Sequence, residues 1–192
     1  MSIISKIRRI YLKRLIQKRI SRCNIALGES VIFNGDFLYK GKAGKLNIGE
    51  RTVVNSGEEL VPVGFSGKTS FWIIDDGHIS IGEDCGITNV AICSQKKVQI
   101  GNRVLIGSGC KIYDTDFHSM DYKKRRDITN NPGCKTAAIL IEDDVFLGAG
   151  VIVLKGTHIG ARSVVGAGSV VTGNIPSGQI WAGNPARYIK DI

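Results

Sequence analysis

The sequence predicts an all-β protein wound as a prism of short parallel strands, and three observations predict it. An aliphatic residue recurs at every sixth position through Ile141, Leu147, Val153, Ile159, Val165 and Val171, a spacing that is neither the 2 of an ordinary strand nor the 3.6 of a helix. The same spacing returns upstream in Ile100, Ile106 and Ile112, in Ile81, Ile87 and Cys93, and more loosely in Leu27, Phe33 and Tyr39. Finally, the 192 residues hold 24 glycines and only 4 prolines, too many tight corners for a compact helical protein and too little bias for collagen or disorder. Six residues make a short strand and a turn, three such units close a triangular coil, and coils stack about 4.8 Å apart through parallel pairing. A β-sandwich would instead alternate with period 2 between turns about 8–12 residues apart.

In chain order, residues 1–22 come first as a basic amphipathic helix. Lys6, Arg8, Arg9, Lys13, Arg14, Lys18, Arg19 and Arg22 stand there without an acid and carry nearly all of the net charge of +9. The rest of the chain is close to neutral, which offers no footprint for nucleic acid. Ile3, Ile4, Ile7, Tyr11, Leu15 and Ile16 recur at helical spacing between the cations. Such a helix either lies on an anionic membrane surface or packs its apolar stripe on the domain or a sister subunit. No run reaches the roughly 18–20 apolar residues that span a bilayer. The five cysteines, Cys23, Cys85, Cys93, Cys110 and Cys134, form no CxxC pair and are odd in number. They read as reduced thiols of a cytoplasmic protein.

The repeats occupy residues 23–178. Two positions before the later aliphatic residues stand Val145, Val151, Thr157, Ser163 and Ser169, small or β-branched and suited to the inside of a corner. A slip of seven between Cys93 and Ile100 is expected as a corner bulge. The frame stops at Ile112 and resumes at Ile139, leaving a polar loop, 113–138, that must project from the prism.

That loop contains His118, flanked by Asp114, Asp116 and Asp121. A neutral imidazole can take the proton of a hydroxyl as it attacks an activated carbonyl, with a carboxylate fixing its tautomer. Either Asp114 or Asp116 is placed to supply that carboxylate, or both cap the turn that launches the loop. His78 and His158 read as structural or surface residues. The spacing of the three histidines does not suit a shared zinc, so no metal is expected.

Tandem [LIV]-G-x-x-x-x units resemble the hexapeptide-repeat acyltransferases, whose fold is a left-handed parallel β-helix and whose members are typically trimers with sites between prisms. The resemblance is nearest to the maltose, galactoside and capsular or O-antigen O-acetyltransferases and covers residues 80–190. The segment ITNVAICSQKKVQIGNRVLIGSGCKIYDTDFH resembles the coils that lead to the family's catalytic histidine, which implies that role for His118 and an acceptor-orienting role for Asn89. The segment IEDDVFLGAGVIVLKGTHIGARSVVGAGSVVTGNIP resembles the coils along which acetyl-CoA lies, which implies donor contacts at Phe146, Ala149, Ala167 and Thr172. Phe146 stands where relatives often have tryptophan, and Gly173 where several have lysine. The tail, residues 179–192, contains IWAGNPARYIK, similar to the family's closing GNPA(R/K), which implies that Arg187 and Lys190 meet the phosphates of coenzyme A.

The expectation is an acetyl-CoA-dependent O-acetyltransferase in surface-polysaccharide synthesis, a homotrimer acting on a sugar or glycan hydroxyl by direct transfer. It is expected in the cytoplasm, and on the membrane reading of residues 1–22 it lies peripherally on the inner face of the plasma membrane. N-acetylation of an amino sugar or small molecule is the alternative within enzymes, and a scaffold β-helix that binds no coenzyme is the alternative outside them.

Overall fold

The structure, a computed structural model, describes residues 3–58, 67–129 and 132–192. After helix α1 (Ile3–Ile20) the described residues run through 21 short strands, broken by a single-turn helix α2 (Tyr122–Arg125). The strands form three sheets, here faces A, B and C, with seven, eight and six strands. Each face takes every third strand along most of the chain, so three strands make one coil of a parallel β-helix. Among the described strands one pair is antiparallel, the closing hairpin of Gln179–Ala182 with Arg187–Asp191.

Parallel register stacks like on like inside the prism. On face A the column runs Leu27, Ile48, Ile81, Ile100, Ile141, Ile159 and Ile175. On face B it runs Phe33, Val54, Ile87, Ile106, Leu147, Val165 and Trp181. On face C it runs Tyr39, Phe71, Ile92, Ile112, Val153 and Val171. From the second coil to Ile175 every member of these columns is buried, and the burial of such aliphatic ladders is the main favourable term of the fold. Val145, Val151, Thr157, Ser163 and Ser169 fill the corners and are buried as well.

The frame departs from the sequence expectation at one rung. Ile92, not Cys93, stacks on Ile112, while Cys93 pairs with Tyr113 on the outward side of the strand. The corner before it, Thr88–Asn89–Val90, is one residue shorter than those of the later coils, with Asn89 in the left-handed conformation (φ 46°) that Gly109, Gly150 and Gly168 take after it. The corner after it is correspondingly longer. Residues 56–69 form a second insertion, between strands Val53–Asn55 and Ser70–Ile73. Its mixed apolar and polar composition hid it in the sequence, and residues 59–66 lie outside the described residues.

At the corner between faces A and B, Ser30, Arg51, Asp84, Arg103, Asp144 and Arg162 hold φ between 54° and 61°. From Arg51 onward the signs of charge alternate coil by coil. Arg51 grips Asp84 with two bonds of 2.7 and 2.8 Å, and Arg103 grips Asp144 with two of 2.7 and 3.0 Å.

Helix α1 packs on the first coil. Ile16 is buried, with Leu12 and Ile20 beside it against the core, a spacing of four that keeps the three on one side of the helix. Arg19 bonds Asp36 at 2.7 Å and lies 5.1 Å from the ring centre of Phe37. Tyr11 of the expected stripe points outward instead, 66% exposed beside Ile10. The end of the prism selects the Leu12–Ile16–Ile20 edge of a broad apolar face. The side chains of Ile3, Ile4 and Ile7 lie outside the described set. No helix among the described residues is long and apolar enough to cross a membrane.

Candidate active site

The neck of loop 113–138 is tied down before the loop departs. Thr115 and Thr136 form an antiparallel bridge. The Asp114 carboxylate is buried and accepts from Ser94 Oγ (2.8 Å), Gln95 N (2.7 Å) and Lys96 N (2.9 Å). Asp114 is therefore the cap of the 94–96 turn, with both oxygens committed. Asp116 pairs with Lys155 at 2.7 Å. Neither of the two carboxylates expected beside His118 makes a hydrogen bond to it.

His118 is presented by a backbone device that the sequence did not disclose. Its N–H donates to the Asp116 carbonyl at 2.7 Å, closing a three-residue turn with Phe117 at φ 60° in the centre. This positive-φ form of the γ-turn is rare and strained, and a bulky residue there costs about 1–3 kcal/mol that surrounding packing must offset. The packing is aromatic. The Phe117 ring stacks on Trp72 (5.8 Å, 26°) and meets Tyr113 edge-on (5.2 Å, 78°). Beyond the turn, Arg125 donates to the Ser119 carbonyl at 2.9 Å, and Asp121 caps α2 by accepting from Lys123 N at 2.8 Å. His118 is thus an exposed imidazole on a backbone fixed from both sides, and its ring takes no hydrogen bond from the described residues.

Asn89 lies at the corner of faces B and C. Its side chain is buried, Oδ1 accepts from Gly57 N at 2.8 Å, and Nδ2 has no partner among the described residues. Ala149 and Ala167 follow at the same corner in later coils. The stacking there is so close that a Cβ on Gly107 would lie 2.6 Å from Ala149 N, and one on Gly148 the same distance from Ala167 N. Phe146 stands 45% exposed on face B, between Leu105 and Val164. Thr172, Gly173 and Arg187 line one cleft of about 80 Å³ with Trp181 and Ala186. Lys190 lies on the same closing strand as Arg187, opposite Ile180.

His158, His78, Cys93 and Cys110 are structural. His158 bonds Glu142 at 2.7 Å, and that contact with the Ala161 N–H holds the carboxyl below its usual range. Burial, then Lys97 and Lys45, lower His78. Burial pushes the Cys93 thiol up to about 12 and Cys110 to about 11, so neither is a nucleophile near neutral pH. Among the described residues no three His, Cys, Asp or Glu side chains gather as a metal site.

Residues 138–173 match the sequence model of the family described as bacterial transferase hexapeptide (six repeats). The galactoside O-acetyltransferase of Lactococcus lactis is 40% identical over 106 residues, 54% of this chain and 48% of that protein. A 2,3,4,5-tetrahydropyridine-2,6-dicarboxylate N-acetyltransferase of Clostridium perfringens is 51% identical over 61 residues, 32% of this chain and 25% of that one. The chain spans about half the length, or less, of these curated relatives. Among solved structures, a hexapeptide-repeat acetyltransferase from Vibrio cholerae in complex with acetyl-CoA superposes with a TM-score of 0.55 at 27% identity, over 93% of this chain and 77% of that one. The fold is accordingly the left-handed parallel β-helix that the resemblance implied.

Proposed function

We propose that this hexapeptide-repeat β-helix is an acetyl-CoA-dependent O-acetyltransferase that acylates a hydroxyl of a sugar or surface-polysaccharide precursor, with His118 as general base. The observation that carries the reading is the strained turn at Phe117, which holds one exposed imidazole in place with its ring uncommitted. Strain of this kind persists where a side chain must be aimed. The neutral imidazole takes the acceptor proton as the hydroxyl oxygen attacks the thioester carbonyl, and the proton leaves with the coenzyme A thiol. Asn89 Nδ2, a donor without a partner among the described residues, orients the acceptor.

The donor lies along the later coils. Its pantetheine arm passes Phe146, Ala149 and Ala167, and its phosphates meet Thr172, Arg187 and Lys190. Arg187 shares a cleft with Gly173 and so brings a cation to the place where relatives carry lysine. The protein acts as a homotrimer with each site between adjacent prisms, and a neighbour or a water supplies what Asp114 and Asp116 do not. The relatives named for O- and N-acetyl transfer leave N-acetylation as the second reading, decided by paired hydroxyl and amino sugars.

The test is calorimetry with acetyl-CoA, followed by transfer assays on the His118→Ala variant. Micromolar binding at one site per chain and a 10²- to 10⁴-fold loss of rate with unchanged donor affinity are expected. Absence of binding in a folded protein would move the assignment to a scaffold.

A further inference from the structure

Face C carries a cation that the chemistry above does not use. Lys40 leaves the first coil with Nζ 4.6 Å from the centre of the Trp72 ring. Trp72 is in turn stacked by Phe117, the residue before His118. Along the prism axis the proposed donor contacts, from Phe146 to Lys190, lie in coils after the one that launches the His118 loop. Trp72 and Lys40 lie in coils before it. An acceptor that meets His118 from the side opposite the donor therefore extends towards Lys40.

The charge of Lys40 is unmatched. Its ammonium forms no ion pair among the described residues, whereas Asp114 is engaged by the 94–96 turn, Asp116 by Lys155, and Asp36 by both Arg19 and Lys68. Lys111 stands outward on the same face, also without an ion pair among the described residues. A ring face holds an ammonium without neutralising it, so the charge stays available to an anion.

We infer that the acceptor is anionic, carrying a carboxylate or phosphate that Lys40 meets from its seat on Trp72. The inference rests on the transferase reading for its place in a site, but its own content is a binding preference. A uronic acid and a sugar phosphate present the same chemistry to Lys40, and the experiment separates them.

The full chain, with coenzyme A present to occupy the donor's phosphate contacts, is titrated by calorimetry with galactose, galacturonate and galactose 1-phosphate. One of the two anionic sugars binds at least tenfold more tightly than galactose. Lys40→Ala erases that difference and Lys40→Arg keeps it, while both bind coenzyme A as the parent does. Galacturonate alone being preferred identifies a carboxylate acceptor, and galactose 1-phosphate alone a phosphate. Equal affinity for the three sugars, or a preference that survives Lys40→Ala, overturns the inference. A Lys40-dependent preference in a protein that ignores coenzyme A would sustain the anion site and sink the transferase reading. Coenzyme A binding without any preference would do the reverse.

Discussion

At Phe117 a bulky side chain occupies a backbone conformation that glycine would adopt without strain, and its ring is what keeps it there. Phe117→Ala removes the stack on Trp72 and Tyr113 and leaves the turn free to relax. The expected outcome is a loss of kcat of about ten- to a hundredfold, as a 1 Å misplacement of a catalytic group produces. The acetyl-CoA dissociation constant stays within twofold. Unchanged kcat in a folded variant would show that the turn does not aim the imidazole. The place of His118 was legible in the sequence, as the sole histidine in the interruption of the repeat. Its support was not, because Trp72 and Phe117 are 45 positions apart and meet only when the loop folds back over earlier coils. Asp114 was legible as a candidate but not in its role, since the turn that claims it lies a coil away at Ser94–Lys96. The Cys93 rung was misread for a simpler reason. Two adjacent apolar residues, Ile92 and Cys93, both fit an inward slot, and the corner at 88–90, one residue shorter than the rest, gives it to Ile92.

The helix α1 is the element whose place the sequence left open between a membrane and the domain. Leu12, Ile16 and Ile20 answer for one side of it, against the first coil. The other side shows Ile10 and Tyr11 exposed with Arg14 and Lys18, so packing on the prism does not use up the surface that an anionic bilayer would attract. Deleting residues 1–22 uncovers the end of the aliphatic columns and removes Arg19 from Phe37 and Asp36. A drop of several degrees in melting temperature is expected, together with loss of binding to vesicles containing about 30% anionic lipid. Replacing Arg14 and Lys18 with Gln separates the two effects: vesicle binding falls while the melting temperature holds. If the double variant bound vesicles like the parent, the outward face would have no part in membrane association. The loop of residues 113–138 was legible as an element through the break in the frame, whereas the insertion at 56–69 was not, because its apolar residues mimic a strand.

On the scale of the whole molecule, the six-residue frame made the prism legible, since one inward aliphatic slot per face recurs from coil to coil with the periodicity of the chain itself. The corner column from Arg51 to Arg162 was not legible, because its members stand 18 to 41 positions apart in sequence order, at intervals that insertions make irregular. Each link is exposed and worth little singly, but the links share members. Arg103→Asp sets three acids in succession with Asp84 and Asp144. A lowered melting temperature at low salt, largely restored in about 0.5 M salt, is the expected result. The hydrogen bonds from Arg51 and Arg103 hold Asp84 and Asp144 below the usual carboxylate range. Their contribution is therefore complete above about pH 4 and fades as pH falls through the lowered values. The same column has a use during winding. Inside the prism one aliphatic rung accepts another almost without distinction, so a strand displaced by a whole coil would find an agreeable interior. Outside, the alternation of arginine and aspartate has a parity: a displacement by one coil sets arginine on arginine and aspartate on aspartate. The corner thereby rejects odd errors of assembly that the core cannot detect, and a protein built of near-identical turns acquires a way of counting them.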